Sequence, residues 1–180
     1  TGPDYWGGLS GDYRWCVDGR RQSPIDLPLE GIPGGLGPLG FDYRPGPATL
    51  AFDGRLLTIS VAPGSFLRES KRPYELKQIT LKSPGEHTLA GQAPVAELLL
   101  LHQKGGGSRL VLSIPLLKGA QEGVLQALSG ALKGLAPGSV SQPITVDPAR
   151  LLPAKQPYIR YFGSETIPPC HEGVRWYVLL

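Results

Sequence analysis

Residues 78–102, QITLKSPGEHTLAGQAPVAELLLLH, gather groups able to do chemistry: one lysine, two glutamates and two of the chain's three histidines. Their spacing decides what they can reach. In an extended strand, side chains two apart share a face, so Gln78, Thr80 and Lys82 project together while Ile79 and Leu81 project the other way. On the return segment Glu97, Leu99 and Leu101 share one face, and Leu98, Leu100 and His102 the other. From the residues alone, the Gln78/Thr80/Lys82 row reads as the solvated face of an antiparallel sheet. A lysine held out of water is a different object, because a desolvated amine serves as a nucleophile or a base.

The histidines are His87, His102 and His171. A metal site needs several ligands converging at fixed distances, and strand parity points His102 away from the Leu99 face. Each histidine therefore reads as a hydrogen-bonded structural or surface residue. Cys16 and Cys170 are the only cysteines, and with one pair and no CxxC, zinc ribbons and thioredoxin-type motifs are excluded. The residues alone leave two readings open, a pair of buried thiols or one long-range disulfide implying an oxidising compartment.

The elements that must position these groups are strands. Gly (25) and Pro (19) are spread through the chain, which implies many turns joining short strands rather than a linker. Strand-like runs stand at 48–52, 55–61, 74–82, 96–102, 109–117, 156–162 and 173–180, after an irregular lead-in ending at Pro24. One helix is expected, over 122–135, where Val124, Leu125, Leu128, Leu132 and Leu135 fall near one stripe. The 180 residues, 41% of them apolar, suffice for one core and a single domain, 1–180. No apolar run approaches the roughly 18 residues that span a bilayer. The net charge of +3 is too scattered for a nucleic-acid footprint. The chain has no Met and begins at Thr1, which fits a cleaved targeting segment or a trimmed chain, and it has no Asn and hence no glycosylation sequon.

Three separated stretches carry a family resemblance: GPDYWG at 2–7, CVDGRRQSPIDL at 16–27 and YFGSETIPPCHEGVRWYV at 161–178, with E-H-T-x-x-G and A-E-L-x-L-x-H between them. In this order they resemble the α-class carbonic anhydrases. The resemblance covers most of the chain and is weakest over 27–47 and 119–150. It implies a mainly β fold, a large twisted and mostly antiparallel sheet with few helices, C-terminally shortened here, around a conical pocket with zinc at its base. In the family, two zinc-binding histidines come from Q-x-H-x-H and the third from E-x-H-x-x-H. The matching positions here are Thr80, Lys82 and Leu99. Leucine has no lone pair, a threonine hydroxyl is a poor ligand and a protonated lysine repels a cation. The resemblance thus implies no metal and no cofactor, and without zinc no acidified water to attack carbon dioxide.

Other family positions carry over one by one. Thr166 matches the hydroxyl that orients zinc-bound hydroxide and Glu86 the carboxylate that receives its hydrogen bond. Glu97 matches a residue that orients the third histidine, and Arg55 aligns with the proton shuttle. Glu165 replaces an apolar residue beside the carbon dioxide site. Lys82 is expected to face the pocket and to pair with Glu97 or Glu165, since an isolated buried ammonium is too costly. Secreted relatives pair cysteines at the positions of Cys16 and Cys170, so a disulfide is expected between them. The family chain continues past the strand matching 175–180, so Trp176, Tyr177, Val178, Leu179 and Leu180 are expected to lie bare and to be buried against another protein subunit.

The reading that follows is a catalytically inactive family member acting as a structural or interaction subunit of a larger complex, membrane-associated or photosynthetic, with protein subunits as partners and no nucleic acid. The alternatives are a secreted or lumenal ligand-binding or storage protein, and an enzyme running zinc-independent chemistry on Thr166, Glu86, Glu165 and Lys82. An exposed apolar patch favours the assembly, and an open polar-rimmed pocket favours the ligand binder. The compartment expected is an organelle lumen, such as the thylakoid, or the exterior.

Overall fold

The computed structural model describes residues 3–30, 36–54, 56–118, 135–141 and 143–180. Its strands, in chain order, are β1 (Asp26–Leu27), β2 (Gly40–Asp42), β3 (Gly46–Phe52), β4 (Leu57–Val61), β5 (Phe66–Glu69), β6 (Arg72–Lys82), β7 (Thr88–Leu89), β8 (Ala96–Gln103), β9 (Arg109–Leu116), β10 (Ser139–Val140), β11 (Ile144–Val146), β12 (Tyr158–Ser164) and β13 (Glu172–Leu179). An eleven-stranded sheet runs β10-β3-β4-β6-β8-β9-β13-β12, with β11 on β3 and the β2–β5 pair on β6. Its pairs are antiparallel except β13 with β9. The parallel pair β1–β7 forms a separate two-stranded sheet whose Leu27 and Leu89 pack against Val178 of β13.

A β-bulge in β6 sets the faces. Between Leu76 and Gln78 the register to β8 slips, leaving Lys77 as the extra residue. Tyr74, Leu76 and Ile79 all enter the main core despite the odd spacing between Leu76 and Ile79, and Gln78, Thr80 and Lys82 turn to the opposite face. The central strands are buried on both sides. Leu98, Leu100, Leu110, Leu112, Ile114, Tyr177 and Leu179 pack in the main core, while Leu99, Val111, Val174 and Trp176 form a second cluster behind them. That two-sided burial explains the unbroken apolar run of β8.

Some expectations change. The run expected at 55–61 begins as a strand only at Leu57, because Asp53 Oδ1 accepts the Leu56 amide at 2.6 Å and closes a turn. The lead-in contains a short helix, α1 (Trp15–Asp18), and two 3-10 turns, one capped by the Ser10 hydroxyl. The helix expected at 122–135 lies outside the described residues except for Leu135, which packs against the main core. Trp176, Tyr177, Val178 and Leu179, expected as an interaction surface, are instead buried within this chain. β13 is not an edge strand, since β9 and β12 flank it, and of the five residues only Leu180 is exposed.

His102 is fully buried on the core side of β8, within 2.7 Å of the Tyr43 hydroxyl. Burial pushes it from the ordinary 6.5 down to about 3. The folded value lies below the unfolded one, so the stability His102 contributes is complete above pH 6.5 and is lost as the pH falls toward 3. About 2 kcal/mol should disappear between roughly pH 7.5 and 5. Urea unfolding of wild type and His102→Gln should show the variant losing less over that window, and parallel losses would contradict the assignment.

Candidate functional site

A cavity of about 220 Å³ opens on the face of the sheet opposite the main core. Gln78, Thr80 and Lys82 reach it from β6, Leu99 and Leu101 from β8, Arg109 and Val111 from β9, and Val174 and Trp176 from β13, with Glu165 and Thr166 supplied by the segment between β12 and β13. The walls are mostly aliphatic or indole carbon, and the polar groups arrive in pairs.

Lys82 is the central group. Its ammonium donates to Glu86 Oε1 at 2.6 Å and to Thr166 Oγ1 at 3.0 Å, and its side chain is only 11% exposed. The tight turn between Lys82 and Glu86 makes this geometry possible. At Gly85 an added Cβ would stand 2.4 Å from Pro94 Cγ, so only glycine lets the turn lie against the start of β8. The expected carboxylate partner was Glu97 or Glu165; the partner found is Glu86. Both other carboxylates are already engaged.

Glu97 is fully buried. Its Oε2 accepts the amides of Glu86 and His87 at 2.7 and 3.0 Å, and its Oε1 meets His87 Nδ1 and the Ser113 hydroxyl, each at 2.6 Å. Burial by itself raises its pKa, but the His87 contact, followed by Ser113 and the backbone amide, brings the net below the ordinary value and keeps a carboxylate there. The chain of contacts continues from His87 Nε2 to the Tyr161 hydroxyl at 2.6 Å and from Tyr161 to Ser23 at 2.9 Å. Burial raises the Tyr161 pKa and keeps that hydroxyl protonated. Glu165 pairs with Arg109 and lies 3.6 Å from His171 Nδ1. Arg109 was missed from sequence. The pairing of Gln103 with Arg109 and of Leu101 with Val111 puts it on the pocket face, a parity readable only once the β8–β9 register is known.

Thr80, Lys82 and Leu99 share this wall, as strand alternation requires, with Thr80 paired to Leu99 and Lys82 to Glu97 across β6 and β8. They do not fit a zinc ion. Thr80 Oγ1 accepts from Gln78 at 3.1 Å, Leu99 offers no donor atom and Lys82 is a cation held in an ion pair. Among the described residues no group of three or more His, Cys, Asp or Glu side chains converges as a metal site. Arg55 lies outside the described residues. Cys16 and Cys170 are joined in a disulfide, which is consistent with an oxidising compartment or secretion. It ties α1 to the segment carrying Thr166. Among the described residues no helix is long and apolar enough to cross a membrane.

Comparison with known proteins gives one consistent answer. The family model of eukaryotic-type carbonic anhydrases matches residues 1–180. A carbonic anhydrase of Nostoc sp. is 32% identical over 184 residues, covering 99% of this chain and 70% of the relative. Dioscorin DB3L of Dioscorea polystachya is 32% identical, covering 99% and 68%. Among solved structures, the α-carbonic anhydrase of Thermovibrio ammonificans, in complex with the inhibitor sulfanilamide, superposes with a TM-score of 0.90 at 30% identity, covering 99% of this chain and 79% of that one. A dioscorin complexed with ascorbate superposes at 0.88 and 32% identity, covering 99% and 77%.

Proposed function

The chain belongs to the eukaryotic-type carbonic anhydrase family, and within it we propose that this protein is a zinc-independent, non-catalytic member whose pocket binds a small, oxygen-rich organic anion. The observation that carries this reading is Lys82, an ammonium bound to Glu86 and Thr166 where the family has a histidine. A fixed cation there opposes zinc and leaves carbon dioxide hydration without a nucleophile. The same ammonium has three donors and uses two, so one remains for an acceptor in the pocket. Apolar walls with a few fixed polar groups describe a ligand site better than a solvated sheet face. A dioscorin, whose solved structure holds ascorbate, sets a precedent within the family for a ligand of this class.

The zinc-independent enzyme is the weaker alternative, because the Lys82 nitrogen is already engaged by Glu86 at 2.6 Å and Thr166 at 3.0 Å and is not free to attack a substrate. A subunit role in a larger complex loses its main support with Trp176–Leu179 inside the sheet and would require another surface. The disulfide supports a lumenal or secreted setting for the protein.

Calorimetric titration with ascorbate should give saturable binding, weakened about tenfold or more in Lys82→Met, which removes one charge-assisted hydrogen bond while keeping the stem. Equal affinity in both proteins would move the ligand elsewhere, and no saturable binding to wild type would overturn the ligand reading while leaving the absence of zinc chemistry to its own test.

A further inference from the structure

On the surface, away from the Lys82 pocket, a cleft of about 330 Å³ lies between the β5–β6 turn and the β12–β13 pair. Arg72, Arg160 and Arg175 line it with one carboxylate, Glu69, and one ring, Phe162. We propose that this cleft binds a doubly charged tetrahedral oxyanion, the phosphate group of a monoester.

The strand register builds the site. Arg160 is cross-strand partner of Tyr177 and Phe162 of Arg175, and alternation puts all four side chains on one face of β12 and β13. Glu69 and Arg72 are cross-strand partners at the mouth of the β5–β6 hairpin. The carboxylate is satisfied largely without the arginines, since Tyr177 donates its hydroxyl to Glu69 Oε1 at 2.5 Å. Arg175 Nε stands 3.7 Å from Glu69 Oε2 and an Arg160 Nη stands 4.0 Å from Oε1, both beyond hydrogen-bond reach. Arg175 Nε is buried and has no hydrogen-bond partner, although its side chain is otherwise fixed by stacking over Phe162 at 5.3 Å and by a hydrogen bond to Tyr74 at 3.4 Å. The cleft thus holds guanidinium donors that its single carboxylate does not use.

Charge and shape select the ligand. Three guanidiniums against one carboxylate leave a net charge of +2, which a dianion neutralises and a monocarboxylate does not. Planar guanidinium forks present paired N–H donors to the oxygens of a tetrahedral anion. Phe162, 48% exposed, offers an apolar rest for the organic part of an ester.

Calorimetry on the intact chain at low ionic strength, with inorganic phosphate, sulfate, phenyl phosphate, phenyl sulfate and acetate, tests this. Saturable binding of a dianion is expected, with acetate and the singly charged phenyl sulfate weaker by about tenfold or more and phenyl phosphate tighter than inorganic phosphate. Arg72→Gln and Arg160→Gln, both at exposed positions, should each weaken binding about tenfold at unchanged thermal stability, and Phe162→Ala should remove the advantage of the phenyl ester. Phosphate ester binding should fall below its second pKa of about 6, where the group becomes a monoanion, while binding of inorganic sulfate stays level. Lys82→Met should leave the phosphate and phenyl phosphate affinities unchanged, which keeps this site distinct from the pocket. Absence of saturable dianion binding, or binding indifferent to both arginine substitutions, overturns the proposal.

Discussion

Glu97→Ala is expected to destabilise the protein by about 3–5 kcal/mol, the range for removing one partner from a buried charged network. Four donors converge on this fully buried carboxylate: two backbone amides, the His87 ring and the Ser113 hydroxyl. Alanine orphans all four in a space that water does not reach. The loss should depend on pH in a defined direction. The carboxyl titrates below its ordinary value when folded, so its contribution is present above about pH 4.5 and fades as the pH falls through the lower folded value. The difference between wild type and variant should therefore shrink under acid. Urea denaturation at pH 7 and at pH 3.5 measures it, and a cost below about 1 kcal/mol at neutral pH would show that the network is not holding the sheet.

Loss of the Cys16–Cys170 bond should have a comparable effect by a different route. The two cysteines are 154 residues apart, so the bond constrains nearly the whole unfolded chain. Loop-closure entropy puts its contribution near 4–5 kcal/mol as an upper guide. Its local role adds to this. Glu172, two residues after Cys170, accepts the amides of Arg20 and Arg21 at 2.5 and 2.7 Å, so disulfide and carboxylate together fasten the N-terminal segment beside Thr166. Denaturant unfolding of Cys16→Ser/Cys170→Ser against the oxidised protein should show a clearly lower midpoint with ligand affinity reduced as well. An unchanged midpoint would mean that the cross-link is dispensable.

Much of this architecture was legible in the residues because strands announce themselves by alternation. Seven runs expected as strands appear close to their expected bounds, and the row Gln78, Thr80 and Lys82 shares one face. The bulge at Lys77 was not legible, since nothing in ELKQIT marks which residue is extra until Leu76 and Ile79 are both found in the core. Short strands such as β2 and β5 escaped notice because their pattern is too brief to show a period. The location of Lys82 followed from the family motif, but its partner did not. Glu97 is opposite it across the strands, and only the folded structure reveals that His87 and Ser113 have already taken that carboxylate. The end of the chain was misread as a surface for the same reason. Whether RWYVLL is an edge or an interior strand depends on β9 and β12, which are distant in sequence.

Zinc content with carbon dioxide hydration tests the central claim most directly. Protein incubated with excess zinc, freed of unbound metal and analysed by mass spectrometry should carry no stoichiometric zinc, and stopped-flow hydration should proceed at the uncatalysed rate. The triple variant Thr80→His, Lys82→His and Leu99→His, treated in parallel, should retain metal and so validate the assay. One zinc per wild-type chain together with catalysed hydration would contradict the account outright.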